Sequence, residues 1–189
     1  MKEHAGVKER IMETASRLFY QQGYQATGIN QIIEEAQIAK ASLYQHFASK
    51  ESLLNEYLET RTRSWMEGLT KFTANYAEGI DKLLGFFDYR MHLLTTNEFK
   101  GCAFLRVVYE QPNLNESSTN IIQKHKLVIK KFISDQLLAI KPLSKEKLDE
   151  TVNLIFNLAE GGLLQATLFK NTESLADGRK VLAGLLKDI

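Results

Sequence analysis

The chain has 189 residues, 44% hydrophobic and 25% charged, which fits a globular protein large enough to bury a core. Two prolines and one cysteine point to long helices and exclude an internal disulfide. The net charge of +1 provides no broad basic face, so any nucleic-acid binding must rest on well-placed phosphate contacts. No apolar run approaches the length of a membrane span. Met1-Lys2-Glu3-His4 is followed by no apolar leader segment, so a cytoplasmic protein is expected.

Taken in order, the periodicity predicts an all-α chain of about nine helices. The first runs from about Val7 to Gln22, with Val7, Ile11, Ala15, Leu18 and Phe19 as its core stripe and Gly23 as its stop. Thr27 is expected to cap the second helix, whose apolar face is Ile29, Ile32, Ile33 and Ala36. A tight turn, Gln37-Ile38-Ala39, leads into a third helix. There Leu43 and Phe47 face inward, four residues apart. Lys40, Ala41, Ser42, Tyr44, Gln45 and His46 are left outward. A helix of that kind suits a major groove: small Ala41 and Ser42 permit close approach, Gln45 can reach an adenine edge, and Tyr44 and His46 can reach phosphates. Ser49 is expected to cap the fourth helix with Lys50 in its first turn. A cation there opposes the helix dipole unless a phosphate arrives to offset it.

The run Leu43-Tyr44-Gln45-His46-Phe47-Ala48-Ser49-Lys50-Glu51, with Ala36, Lys40 and the upstream Ala15, Leu18-Phe19, Gly23-Tyr24 and Thr27, resembles the DNA-binding signature of the TetR/AcrR family of transcriptional regulators. The resemblance spans about Val7 to Tyr57. It implies a helix-turn-helix head at residues 4–50, with the motif at about 28–47, and an effector-binding and dimerisation domain at 51–189. It also implies that Thr27, Lys40, Ala41, Ser42, Tyr44, Gln45, His46 and Lys50 contact DNA, Thr27 through a phosphate. Two positions depart from the pattern. Gln37 stands where the family usually has Gly, and Ala39 where it has Ser or Thr. Each substitution is expected to cost about 1 kcal/mol of local stability.

Beyond the head, the fourth helix is expected to continue toward Tyr76 through Trp65, Leu69 and Phe72. A fifth covers about Gly79 to Leu94, a sixth starts at Gly101-Cys102 and ends before Pro112, and a seventh runs from about Ser117 to Ile140. Ser144 caps an eighth that reaches Phe169, and a ninth runs from Glu173 to Lys187. Aromatic and polar residues mix in this half. The candidates for an effector pocket are Trp65, Phe86, Phe87, Tyr89, Arg90 and Cys102, with Phe104, Arg106, Tyr109, His125 and Glu160. Cys102 reads either as a small buried residue or as a sensing thiol. Ala159, Gly162, Leu163 and Ala166, with Leu182 and Leu185 on the last helix, are candidates for a dimer interface built as a four-helix bundle.

His4, His46, His92 and His125 show no metal-ligand spacing, so neither a metal nor any other cofactor is expected, and no enzymatic site is marked. The function expected is that of a homodimeric, ligand-responsive repressor. Its partners would be a palindromic operator in double-stranded DNA, a small-molecule effector and a second copy of the chain, with no role for a membrane.

Overall fold

The computed structural model describes residues 6–187. His4 and the first residues of the expected head lie outside the described residues. Within them the chain is all α, with nine helices and no strand. They are α1 (Val7–Gln21), α2 (Ile29–Glu35), α3 (Lys40–His46), α4 (Lys50–Phe72), α5 (Ile80–Thr96), α6 (Ala103–Glu110), α7 (Glu116–Ile140), α8 (Lys145–Phe169) and α9 (Glu173–Leu185). They form two compact units. One takes the described residues up to Arg63 together with Ala103–Gln123; the other takes Ser64–Cys102 and the described residues from Lys124 onward. The division falls inside both α4 and α7.

In the first unit, α1 packs on both α2 and α3. Its stripe of Ile11, Ala15, Leu18 and Phe19 is buried, as are Ile32, Leu43, Phe47, Leu53, Leu54, Tyr57 and Leu58. The Phe19 ring meets Tyr24 at 5.2 Å and Tyr57 at 5.5 Å, both edge to face. Full burial of Leu43 alone is worth roughly 2 kcal/mol, and it fixes which face of the short α3 turns outward. Gly23 ends α1 at φ 103°, a region that glycine tolerates best.

Capping separates what local sequence dictates from what packing decides. Ser49 and Ser52 exchange backbone-to-hydroxyl bonds of 3.1 Å in each direction at the start of α4, and Ser144 accepts from the Lys147 N–H at α8. Thr27 does not cap α2. Gly28 holds the N-cap position, and Thr27 is fully buried, its hydroxyl donating to the Gly23 carbonyl at 2.7 Å. The loop takes the hydroxyl before the helix can use it. Gln37 adopts φ 52°, so the turn needs the left-handed conformation that the family's glycine would supply. Ala39 is the N-cap of α3 and offers no side-chain bond. α4 ends at Phe72, short of Tyr76.

In the second unit α8 packs on α9, and both pack on α5. Phe86, Phe87, Ile129, Ile133, Leu137, Ile155, Ala159, Ala166, Leu175 and Leu182 share its core. Gly162 permits the α8–α9 contact: a Cβ there would lie 3.0 Å from Leu175 Cδ2 and 3.3 Å from the Ser174 carbonyl. No helix among the described residues is long and apolar enough to cross a membrane.

Candidate functional site

α3 is pinned by Leu43 and Phe47, both buried, and everything between them turns outward. Lys40, Ala41, Tyr44, Gln45 and His46 are exposed and Ser42 is half-buried. Tyr44, at 46% exposure, is among the large side chains left open to solvent. Lys40 and Tyr44 stand one turn apart, as do Ala41 and Gln45. The result is a narrow face of one cation, two small residues, a phenol, an amide and an imidazole. Such a face offers donors and acceptors to base edges and phosphates without a bulky obstacle near its start.

The surrounding cations are mostly engaged. Arg17 pairs with Glu35, which also accepts from Gln31; those bonds hold the Glu35 carboxyl below its ordinary range. Lys8 lies 3.6 Å from Glu56, and Arg10 donates to the Gln37 carbonyl at 3.4 Å. Lys40 stands outside the ion pairs formed among the described residues. Lys50, at the first position of α4, lies 4.2 Å from the centre of the Tyr24 ring. Burial pushes its pKa down, opposed by the Glu110 carboxylate. Its ammonium is therefore held in place rather than left free on a flexible stem.

The loop before α2 is held by a residue that sequence reasoning missed. Glu110, the last residue of α6, accepts from the Gln25 N–H at 3.2 Å and from Arg106 Nε at 2.8 Å. Gln25 Nε2 donates to the Glu110 carbonyl, and Arg106 donates to the Tyr20 carbonyl at 2.9 Å. The i, i+4 spacing of Arg106 and Glu110 was a visible signal. Their target was not.

The pocket candidates divide between the two units. Phe104, Arg106 and Tyr109 belong to the first unit; Phe104 is buried, Arg106 serves the loop, and Tyr109 is 74% exposed. The other eight lie in the second unit. Trp65 touches Phe86 at 6.1 Å, Tyr89 at 5.6 Å and His125 at 5.6 Å, all edge to face. Phe87 meets Phe86 at 5.6 Å and leaves room on α9 only for Gly178, where a Cβ would stand 3.1 Å from its ring. Arg90, 4% exposed, donates to Glu160 at 2.6 Å and to the Ala159 carbonyl at 3.2 Å. Lys126, also missed, donates to the other Glu160 oxygen at 2.7 Å and lies 3.8 Å from Cys102 Sγ. Burial pushes the Glu160 pKa up, but the two cations outweigh it and hold the carboxyl below its ordinary range. Among the described residues no cluster of His, Cys, Asp and Glu is arranged to hold a metal.

Of the six residues expected at a dimer interface, Ala159, Gly162, Ala166 and Leu182 are buried within the single chain. The reason is physical: small residues on one face of α8 let α9 approach, and the chain uses that approach internally. Leu163 is half-buried and Leu185 is 40% exposed. With Leu185, the large apolar side chains left open on the same two helices are Leu154, Leu164, Leu168, Phe169 and Val181.

A sequence profile described as "Bacterial regulatory proteins, tetR family" matches residues 11–57. The chain is 28% identical over 190 residues to the HTH-type transcriptional regulator LmrA of Bacillus subtilis (strain 168), covering 95% of this chain and 96% of that one. It superposes on the crystal structure of a TetR transcriptional regulator from Legionella pneumophila with a TM-score of 0.80, at 26% identity and covering 98% and 99% of the two chains. The fold of a TetR-family regulator from Streptomyces coelicolor matches with a TM-score of 0.85, at 23% identity over 97% and 95% of the chains. These similar proteins are transcriptional regulators. Residues 11–57 thus match the amino-terminal helix-turn-helix profile of the TetR family, and the chain as a whole is similar in sequence and fold to TetR-type transcriptional regulators.

Proposed function

We propose that the chain is a homodimeric repressor that binds a palindromic operator and leaves it when a small molecule binds its second unit. The observation that carries the reading is the α3 face, where Leu43 and Phe47 hold the helix and leave Lys40, Ala41, Ser42, Tyr44, Gln45 and His46 toward solvent. Ala41, Ser42 and Gln45 read base edges, Tyr44 and His46 bond phosphates, and Lys50 clamps the backbone from the start of α4. Thr27 plays a supporting role, since its buried hydroxyl is already used inside the loop. In functional terms the head covers residues 4–50, and residues 51–189 carry effector binding and dimerisation.

The dimer surface follows from the apolar side chains that the single chain leaves open. On α8, Leu154, Gly161, Leu164 and Leu168 fall at i, i+7, i+10 and i+14, one face of a helix. Gly161 has open space where a Cβ would project, which lets a second helix come close. Val181 and Leu185 extend the stripe on α9. Pairing of α8 and α9 with their symmetry mates makes a four-helix bundle.

Release works by population shift. The effector favours a state in which α4, shared between the two units, has moved, and the two copies of α3 no longer match successive major grooves about 34 Å apart. The protein would act in the cytoplasm, where its operator lies. The test is selection of bound duplexes from a random pool, with wild type beside a Tyr44→Ala/Lys50→Ala variant. Wild type is expected to enrich a palindrome and the variant to lose it. Failure of wild type to enrich any sequence would count against the reading.

A further inference from the structure

The Arg90–Glu160–Lys126 triad has an excess of one positive charge. Glu160 supplies its single carboxylate, with one oxygen 2.6 Å from Arg90 and the other 2.7 Å from Lys126. Both oxygens are therefore occupied, and no free acid remains in the triad to receive a cationic ligand. Arg90 is 4% exposed, and its Nε is buried with no hydrogen-bond partner. Lys126 reaches solvent with 18% of its side chain. Lys126 is the more open cation of the triad, so an anion meeting its ammonium would balance the surplus charge beside Glu160.

The triad adjoins the fully buried Phe86, which in turn meets the half-buried Trp65. The Arg90 guanidinium lies 4.8 Å from the centre of the Phe86 ring, and Phe86 meets Trp65 edge on. Trp65 is half-buried, so part of the indole remains to be covered. We propose that the triad seats the carboxylate of a small aromatic acid at Lys126, with the ring of that acid against Trp65. The proposal rests on the reading of the second unit as the effector-binding part, and it names the chemical class that part would take.

Trp65 is the chain's single tryptophan, and its fluorescence reports directly on the site. Three probes of one shape separate the charge states: 3-phenylpropanoate, its neutral amide and the cationic 3-phenylpropylamine. The carboxylate is expected to bind saturably and about tenfold more tightly than the amide, the worth of one charge-assisted bond, with the amine weakest. Lys126→Gln is expected to remove that tenfold advantage while leaving amide binding and a cooperative melting transition, at a midpoint lowered by loss of the bond to Glu160. Glu160→Gln, which adds to the surplus, is expected to tighten carboxylate binding. Equal affinity for carboxylate and amide, strongest binding by the amine, or a Lys126→Gln variant that keeps the carboxylate preference would overturn the proposal. Release of the selected duplex is measured separately. Carboxylate bound without release supports the anion site and contradicts the repressor mechanism. Release by neutral or cationic compounds, with no carboxylate preference, does the reverse.

Discussion

Glu110 lies directly on Gly23: a Cβ built at Gly23 would stand 2.4 Å from Glu110 Oε1. A carboxylate at the end of a flexible side chain can usually swing aside. This one is held by the Gln25 N–H and by Arg106, so moving it breaks both bonds. Gly23→Ala therefore meets two independent obstacles, the collision and a φ of 103°. A loss of about 2 kcal/mol in urea unfolding is expected. Adding Glu110→Ala removes the collision but not the backbone strain, so the double variant should be less destabilised than the sum of the single ones. Strict additivity would show that the carboxylate does not press on the loop.

The turn before α3 carries two removable defects. Gln37 holds a left-handed conformation, and Ala39 caps α3 without a side-chain bond. Gln37→Gly is expected to stabilise the head by about 1 kcal/mol by relieving the Cβ clash. Ala39→Ser is expected to add about 1 kcal/mol through a bond to the open N–H groups of α3. Thermal unfolding reads both as a raised midpoint. An unchanged midpoint for Gln37→Gly would mean that the strain relieved is offset by the backbone freedom glycine adds to the unfolded chain.

Exposed and buried positions on α8 separate assembly from folding. Leu164 and Leu168 are 61% and 71% exposed, whereas Ala166 is fully buried. Leu164→Glu/Leu168→Glu is expected to keep its helical circular dichroism, sediment as a monomer, and lose about a hundredfold in operator affinity through the lost second head. Ala166→Glu is expected to unfold the second unit instead. A Leu164/Leu168 variant that remains a dimer would place the interface elsewhere.

Glu160 makes stability sensitive to acid. Its folded-state pKa lies below the ordinary 4.5, so above 4.5 its bonds to Arg90 and Lys126 stabilise the fold in full. That contribution is lost as pH falls through the lower folded value. The difference in unfolding free energy between wild type and Glu160→Gln should be constant from neutral pH down to the ordinary glutamate range and then shrink. A difference that grows on acidification would reverse the sign of the shift.

What the sequence showed was set by short-range physics. Leu43 and Phe47 four residues apart, Ser49 before α4 and Ser144 before α8 each declared their roles because helix period and capping act within a turn or two. The strain at Gln37 was legible for the same reason. Thr27 was misread because its hydroxyl has two acceptable uses, and the Gly23 carbonyl reaches it first. Ala159, Gly162 and Ala166 promised a close helix contact, but nothing local told whether the partner was α9 or another chain. Arg106 and Tyr109 were grouped with the pocket by composition, which could not show that Arg106 bonds the Tyr20 carbonyl and Glu110. Lys126 stayed hidden because a lysine on an amphipathic helix reads as solvated until Glu160, 34 residues away, is brought beside it.

In the proposed complex two copies of α3 enter successive major grooves of one duplex. A hydroxyl-radical footprint of the wild-type protein on the duplex it enriches tests this most directly. Two symmetric protected stretches centred about one helical turn apart, roughly 10 base pairs, are expected, and the Leu164→Glu/Leu168→Glu variant should weaken both together. A single protected stretch, or protection that does not depend on the enriched sequence, would contradict the account.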